Sequence, residues 1–435
     1  MTDVMPVSSG NVRVGRRRWR IGALLALGVL VNYIDRINLS VSHDALVGTF
    51  HLTDVMFGWL LSGYNFTYAL CQMPVGVLLD RFGVKRIGRV SALTVSAASL
   101  SMAVARNVPS LFFARFLLGV GESPIFPGSA KAVGRWFPRR ERSFATSLFD
   151  AAAKFAAAIG VPLVGVLLLH VGWRWSFATT GFLTLVFVGV FWGVYREPEE
   201  DAKLTVAELA HIQEDETTED DVRLAAAEMS FGELLRQPKV LGLSIGSLAY
   251  NYTFYLLFTW LPIYLARTMH IDLLHSFLYT GVPWLVATVV DVVAGGWLVD
   301  WLIARGLNGG RVRLVFLAGG MAFGLGILGA AQVHSAGWAL FWITLSLSGL
   351  SAASPVLWSV PSLIAARRNV ATTASIGNFA GQIGAISAPI VTGYLITVTH
   401  SFASAFVVAA LLMLLGITAY LTLLRSVEPM EIRRA

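Results

Sequence analysis

Asp35 and Arg36 stand side by side in Asn32-Tyr33-Ile34-Asp35-Arg36, between the apolar runs Ile21 to Val31 and Ile37 to Val41. A carboxylate and a guanidinium within a segment long enough to cross a bilayer are costly, and such charges face a bundle interior or a wet cavity. A second pair, Arg115 and Glu122, is seven residues apart, so two helical turns place both on one face about 10 Å from each other. A third, Asp150 and Lys154, has the i,i+4 spacing of a self-neutralising helix pair; otherwise Lys154 adds a cation to the cavity. Burial raises a carboxylate's proton affinity and a nearby guanidinium lowers it, so its charge can be reset by whatever moves in or out. Arginine is suited to the other half of that exchange, since its planar fork holds a carboxylate by two oxygens and stays charged. The chemistry these residues offer is proton exchange against an organic anion; the alternative is that they are structural ion pairs and clamps joining helices.

Composition says what must position them. Of 435 residues 56% are hydrophobic and 14% charged, with mean hydropathy +0.67, which marks a polytopic membrane protein. Apolar segments recur near 19 to 41, 54 to 79, 87 to 106, 109 to 134, 143 to 169 and 173 to 195, then near 239 to 266, 275 to 302, 312 to 333, 336 to 364, 370 to 398 and 401 to 425. That predicts an all-α integral membrane protein of twelve transmembrane helices in two six-helix halves, 19–195 and 239–425. They are flanked by an arm (1–18), an acidic linker (196–238) and a tail (426–435). The first apolar run continues through Asp35 without a convincing small-residue cleavage site and is read as a retained helix rather than a signal peptide.

Arg81, Lys85, Arg86 and Arg89, then Arg135, Arg139, Arg140 and Arg142, then Arg305, Arg311 and Arg313, then Arg367 and Arg368 all fall on the side of the arm and tail. The opposite loops hold only Arg106, Arg174 and Arg267, so the rich side, with both termini, is expected to be cytoplasmic at the bacterial inner membrane. The same distribution accounts for the pI near 9.7 without nucleic acid. The linker carries 13 of the 26 acidic residues and two capping-box patterns, Thr205 to Glu208 and Ser230 to Glu233, and is read as two short helices around a flexible tether. The halves echo each other. Gly76-Val-Leu-Leu-Asp80 returns as Gly296-Trp-Leu-Val-Asp300, and Ile159-Gly-Val-Pro162 as Ile386-Ser-Ala-Pro389. Pseudo-symmetric halves with a site between them are the build of rocking transporters.

These residues carry a resemblance. Gly76 to Arg86, with Asp80, Arg81 and Gly83, resembles the loop signature of the major facilitator superfamily. Asn32 to Arg36 together with Arg115 to Pro127 resembles its anion:cation symporter family, the sugar-acid members above all. The resemblance covers nearly the whole chain. It implies proton-coupled symport of an organic carboxylate such as an aldonate, uronate or aldarate, with Asp35 and Glu122 as proton sites. Arg36 would engage the substrate carboxylate or the coupling carboxylates, and Arg115 would hold Glu122 or Asp35 before protonation. Tyr68, one turn from Gln72, would hydrogen-bond the solute, with Tyr64 on the same face. Asn378, in Gly377-Asn378-Phe379-Ala380-Gly381, and Ser354 and Trp358 of the proline-broken tenth segment would meet sugar hydroxyls. Gly76, Asp80, Arg81, Gly83, Arg86 and Asp300 would form interdomain gates, the acids acting as latches near helix N-termini and loop arginines. Lys154 departs from the family, whose sugar-acid members often have an uncharged amide there; if it meets substrate it favours a second anionic group, and if it pairs with Asp150 it does not.

Other classes fit less well. A membrane enzyme would need a nucleophile with its base or a metal cluster, and the histidines other than His43 fall at loops or segment ends with no ligand spacing. A solute sensor would need a signalling domain. An anion exchanger or uniporter for organic or aromatic carboxylates remains open, because the sequence does not show whether the acids titrate. Asp291 has no counterpart charge nearby in sequence and is not read as a proton site. Cys71 is read as packing, no cofactor or metal is expected besides the coupling proton, and the expected partners are the organic anion and the bilayer around a monomer.

Overall fold

The computed structural model describes residues 15–52, 54–213, 229–268, 273–333 and 335–430. Among the described residues the chain forms twelve spans and no strand. The first is Arg17–Val41; the second and third (54–82 and 84–103) run in one helical stretch broken at Gly83; the fourth is Val108–Glu122 continued by Ile125–Trp136. The fifth and sixth (142–171 and 173–194) are likewise divided at Gly172. In the other half the seventh is Pro238–Thr268. The eighth is Leu273–Val290, a π-helical segment Asp291–Leu298, and Val299–Ala304. The ninth is Gly309–Gly324 with Ile327–Ala330, and the tenth Ala336–Ser359 with Pro361–Ile364. The eleventh is Val370–Thr399, and the twelfth Phe402–Ala419 running into Tyr420–Leu424.

Local sequence explains the breaks. Gly83 and Gly172 have φ of 80° and 77°, a region that costs a residue bearing Cβ, so the chain reverses there with almost no loop. Asn107 opens the fourth span with a reciprocal capping box to Ser110, and Asn308 caps the ninth through the Arg311 amide. Eight helices are long and apolar enough to cross a membrane by composition alone. The fourth span is divided at Ser123–Pro124 into helices of 15 and 12 residues, each too short by itself.

Each half has its own apolar core, around Leu25, Val133, Phe149 and Phe191 in the first and Leu257, Leu347, Val356 and Phe406 in the second. The outer surface is apolar too. Leu169, Val104, Leu70 and Trp338 are 84%, 73%, 71% and 61% exposed, which suits hydrocarbon as solvent. The buried surface instead holds charge: Asp35, Arg115, Glu122, Asp150, Lys154 and Asp291 are all nearly inaccessible.

The halves meet where the second span faces the eleventh and where the fifth faces the eighth and tenth. Close approach depends on two glycines. A Cβ at Gly76 would lie 2.7 Å from Ser375 Cβ and 2.9 Å from Thr372 Cα; one at Gly296 would lie 2.8 Å from Ser147 Cβ and 3.2 Å from Phe144 Cα. These are the glycines of the sequence echo.

The linker is less of a free tether than its composition suggests. Its described part clamps basic residues of the first half: Asp201 on Arg17, Glu208 on Arg18, Glu197 and Glu199 on Arg135, and Glu200 on Lys85. Of the two expected capping boxes, Ser230 and Glu233 form theirs reciprocally. At the other, Thr205 accepts from the Glu208 amide, but the Glu208 carboxylate turns to Arg18. Residues 214–228, the most acidic stretch, lie outside the described residues.

Candidate functional site

The centre of the interface is organised around Arg36. Its position on the first span points the guanidinium across the bundle to Glu122 at the end of Val108–Glu122, with Nε 2.5 Å from Oε2. Tyr64 on the second span donates to the same oxygen at 2.8 Å. The other oxygen, Oε1, is buried without a partner. Arg36 also lies over three rings, 4.5 Å from the centroid of Tyr33, 4.9 Å from Tyr64 and 5.4 Å from Tyr68. Tyr255 of the seventh span brings its hydroxyl to Arg36 from the opposite half. This is one cation, one replaceable carboxylate and an aromatic cage, with walls from both halves.

A neutral chain of hydrogen bonds closes the cage. Asn378 Nδ2 on the eleventh span donates to Tyr68 Oη at 3.1 Å and to Gln72 Oε1 at 2.9 Å, while Gln72 Nε2 donates to the Ser123 carbonyl at 3.3 Å. Tyr64, Tyr68, Gln72 and Asn378 are therefore brought together with Arg36 and Glu122. Trp358 stacks on Phe126, centroids 4.8 Å apart, and Phe126 contacts Tyr33, so Trp358 extends the aromatic wall.

Two expected partners are arranged differently. Arg115 does not hold Glu122 or Asp35: among the described residues it makes no ion pair, and it lies over the Tyr64 ring at 5.2 Å with Nε buried and unpartnered. The rise between positions 115 and 122 is too great for direct contact, and Arg36 takes the carboxylate instead. Asp35, adjacent to Arg36, is turned by the helical step toward the sixth span. There it accepts from Thr184 Oγ1 at 2.9 Å, with Thr180 and Ser99 alongside and Oδ1 unpartnered. It therefore lies in a polar nest within the first half and not in the cage.

Lys154 also departs from the expected cavity position. Its ammonium donates to Asp150 at 2.7 Å and to Asp291, on the eighth span, at 2.6 Å, and the side chain is 2% exposed. A substrate-facing Lys154 is not what the structure holds. Asp291, unmatched in sequence, has its partner 137 residues away. Ser354 stands beside Asp150, with this group and not with the cage.

At the end of the molecule that bears both chain ends, the two echoed acids occupy equivalent places. Asp80 accepts from the Ala371 and Thr372 amides at 3.2 and 2.8 Å and from Lys131 at 2.6 Å. Asp300 accepts from the Ser143 and Phe144 amides at 3.3 and 2.7 Å, with Arg313 at 3.9 Å. Each caps the N-terminus of a helix in the other half, where free amides favour an anion. Arg142 adds a bond to the Ser362 carbonyl at 2.6 Å. Arg81 lies over Phe82 and Gly83 supplies the turn; among the described residues Arg86 has no hydrogen bond or ion pair across the interface. Thr184, Tyr33, Tyr255 and Tyr250 were not singled out in sequence. Only Tyr33, inside the charged motif, carried a signal.

No group of three or more histidine, cysteine or acidic residues able to hold a metal occurs among the described residues. A family model described as Major Facilitator Superfamily matches residues 25–389. The chain is 38% identical over 422 residues to the "Uncharacterized transporter YybO" of Bacillus subtilis (strain 168), covering 97% of each. It is 28% identical over 431 residues to the "D-galactonate transporter" of Escherichia coli O6:H1, covering 98% and 99%. It is 30% identical over 412 residues to the "Probable sulfoacetate transporter SauU" of Cupriavidus necator, covering 93% and 94%. Among solved structures it is similar to the proton:xylose symporter XylE bound to 6-bromo-6-deoxy-D-glucose (TM-score 0.75, 15% identity, 94% and 96% covered) and to FucP in the outward conformation (TM-score 0.72, 15% identity, 93% and 99% covered).

Proposed function

The chain belongs to the Major Facilitator Superfamily and is a multi-pass membrane transporter, not an enzyme, and from that premise we propose that it imports a sugar acid or similar organic carboxylate together with protons. The observation that carries the reading is the Arg36–Glu122 pair inside the tyrosine cage. A proton on Glu122 removes the charge that holds Arg36, and the guanidinium then takes the substrate carboxylate with both forks. Release reverses the exchange: when the substrate leaves, Glu122 gives up its proton and re-forms the pair. Tyr64, Tyr68, Gln72 and Asn378 offer hydroxyl and amide groups for the polyol chain, and Asn378 reports occupancy to the second half. Asp35, in its Thr184 nest, is a second proton site acting through the first span, and Arg115 supplies positive potential near both acids.

The basic side is cytoplasmic by its arginine excess, placing both termini inside the cell. Asp80 and Asp300 then latch the cytoplasmic end closed while the Arg36 site faces outward. One proton with a monoanion is electroneutral, and a second makes the cycle electrogenic, worth about 2.3 kcal/mol per 100 mV. The names of the relatives supply two candidates, and the expected aldarates a third. The test is uptake into proteoliposomes of D-galactonate, D-glucarate and sulfoacetate, chosen first by thermal shift, with an inward proton gradient imposed and then collapsed. Accumulation that needs the gradient supports symport. Uptake that needs only internal anion, at any pH, shows the exchanger instead.

A further inference from the structure

If the halves rock as proposed above, they must part along the surface where the fifth span faces the eighth, and that surface carries a charge cluster the exchange at Arg36 does not use. Lys154 donates to Asp150 from one turn away on its own helix, and to Asp291 across the interface. The three side chains are 2%, 6% and 0% exposed, and Asp291 Oδ1 is buried without a hydrogen-bond partner. Asp291 opens the π-helical segment Asp291–Leu298, an irregular turn of the kind that gathers at functional positions. The groups that face it are Lys154 and Asp150 on the fifth span, the Asp150 carboxyl directly beside its own, and Tyr250 on the seventh; the Ser354 hydroxyl on the tenth and Tyr33 of the first stand near Asp150. Phe254 covers the ammonium, 5.8 Å from its ring centroid.

The charges do not balance. Two carboxylates share one ammonium, and no second cation stands within ion-pair reach of Asp291 among the described residues. When the halves move apart the two acids are not equivalent. Asp150 keeps Lys154, because both ride on the fifth span four residues apart. Asp291 leaves on the eighth and loses its counter-charge. A carboxylate in such surroundings with no partner is costly, and neutralising it with a proton removes the cost. We propose that Asp291 is a proton-binding site: it takes one proton from solvent as the eighth span leaves Lys154, and returns it when the ammonium comes back. Acid therefore favours the separated arrangement through Asp291, independently of Glu122 and Asp35.

The proposal rests on rocking, and its test separates the two. Spin labels at Val104 and Val398, exposed on the end opposite the termini in opposite halves, report the distance between them in a Cys71→Ser protein with Asp35→Asn and Glu122→Gln. We expect two distances whose ratio shifts with pH between 5 and 8, at most tenfold per unit for a single proton. Adding Asp291→Asn should flatten the shift to less than twofold across the range. A slope that survives Asp291→Asn, or no slope in the parent, overturns the proposal. Should Asp291→Asn fail to elute as monodisperse protein, Asp291→Ser, which removes the same acid with a smaller side chain, must flatten the slope instead; a retained slope again overturns it. A single distance at every pH even with Asp35 and Glu122 intact overturns rocking itself, and this proposal with it.

Discussion

Replacing Glu122 by glutamine tests whether the Arg36 pair couples protons to substrate. The side chain is fully inaccessible and accepts from Arg36 at 2.5 Å and Tyr64 at 2.8 Å. Glutamine keeps the shape and one oxygen for both donors but removes the charge, imitating the protonated acid permanently. Breaking a buried ion pair by removing one charge costs roughly 3–5 kcal/mol, and the retained oxygen places this variant at about 3. The cage should therefore hold, with a lower melting point and Arg36 left short of its anion. Substrate carboxylate then meets an unoccupied guanidinium at every pH, so counterflow should persist and lose the part of its pH dependence that Glu122 contributes. Gradient-driven accumulation should fall by about tenfold per unit of imposed pH difference, because each proton removed from the cycle withdraws about 1.36 kcal/mol per unit. The assay is proteoliposome uptake of whichever aldonate or aldarate the thermal-shift screen selects, with and without the gradient. If Glu122→Gln accumulates substrate as steeply as wild type, proton exchange at this pair is wrong, whatever happens to its stability.

Asn378→Ala should orphan Gln72 Oε1 and cost about 1–3 kcal/mol, raising KM in uptake while leaving the number of protons per substrate unchanged; an altered reversal potential would contradict its assignment to substrate contact. Gly76→Leu should prevent closure of the end bearing the termini, since even a Cβ there meets the Thr372 backbone at 2.9 Å; cysteines placed on the second and eleventh spans should cross-link less than in wild type, and undiminished cross-linking would count against the gate. The linker clamp should be acid-labile. Burial works against the charged form of Glu141 and Glu199, but bonds from Arg18 and His211 to the first, and from Arg135 to the second, hold both below the usual glutamate range, and Lys85 does the same for Glu200. A depressed carboxyl stabilises the fold above its unfolded pKa, near 4.3, and that contribution is lost as pH falls through the lower folded value. Proteolysis within 196–213 should therefore rise only below about pH 4; a midpoint near neutrality would show that the clamp depends on other groups.

The helices were legible because their signal is long and local. Runs of apolar residues define spans, whereas the glycine reversals and asparagine caps showed only in the structure. The cage was legible in part: Arg36, Glu122, Tyr64, Tyr68, Gln72 and Asn378 converge, yet their pairing was not readable. Periodicity placed Arg115 and Glu122 on one face and suggested a pair. Which guanidinium reaches the carboxylate depends on where the first span crosses the fourth, and that is a packing outcome. Asp35 shows the same limit, since a single step of about 100° from Arg36 decides whether it faces the cage or Thr184. Asp291 looked solitary because its partner sits in the other half, beyond the reach of any local pattern.

The latches and the cage impose different conditions on one movement. Asp80 and Asp300 satisfy helix N-termini across the interface only while the end bearing the chain termini is closed, and parting leaves two acids and four amides to find water. At that end water is at hand, so the exchange costs little. The cage and the Lys154 cluster lie where water is scarce, and there a parted charge needs a new partner before the halves can move. Substrate can supply that partner at Arg36, and a proton can supply it at Glu122. On the proposed mechanism, the bundle would move when its central charges are matched and stall when they are not, because the energetic difference between the two cases would lie in the buried ions and not in the latches. Coupling then needs no rigid lever between site and gate: the same rocking that opens the end is forbidden or allowed by the charge balance at the centre.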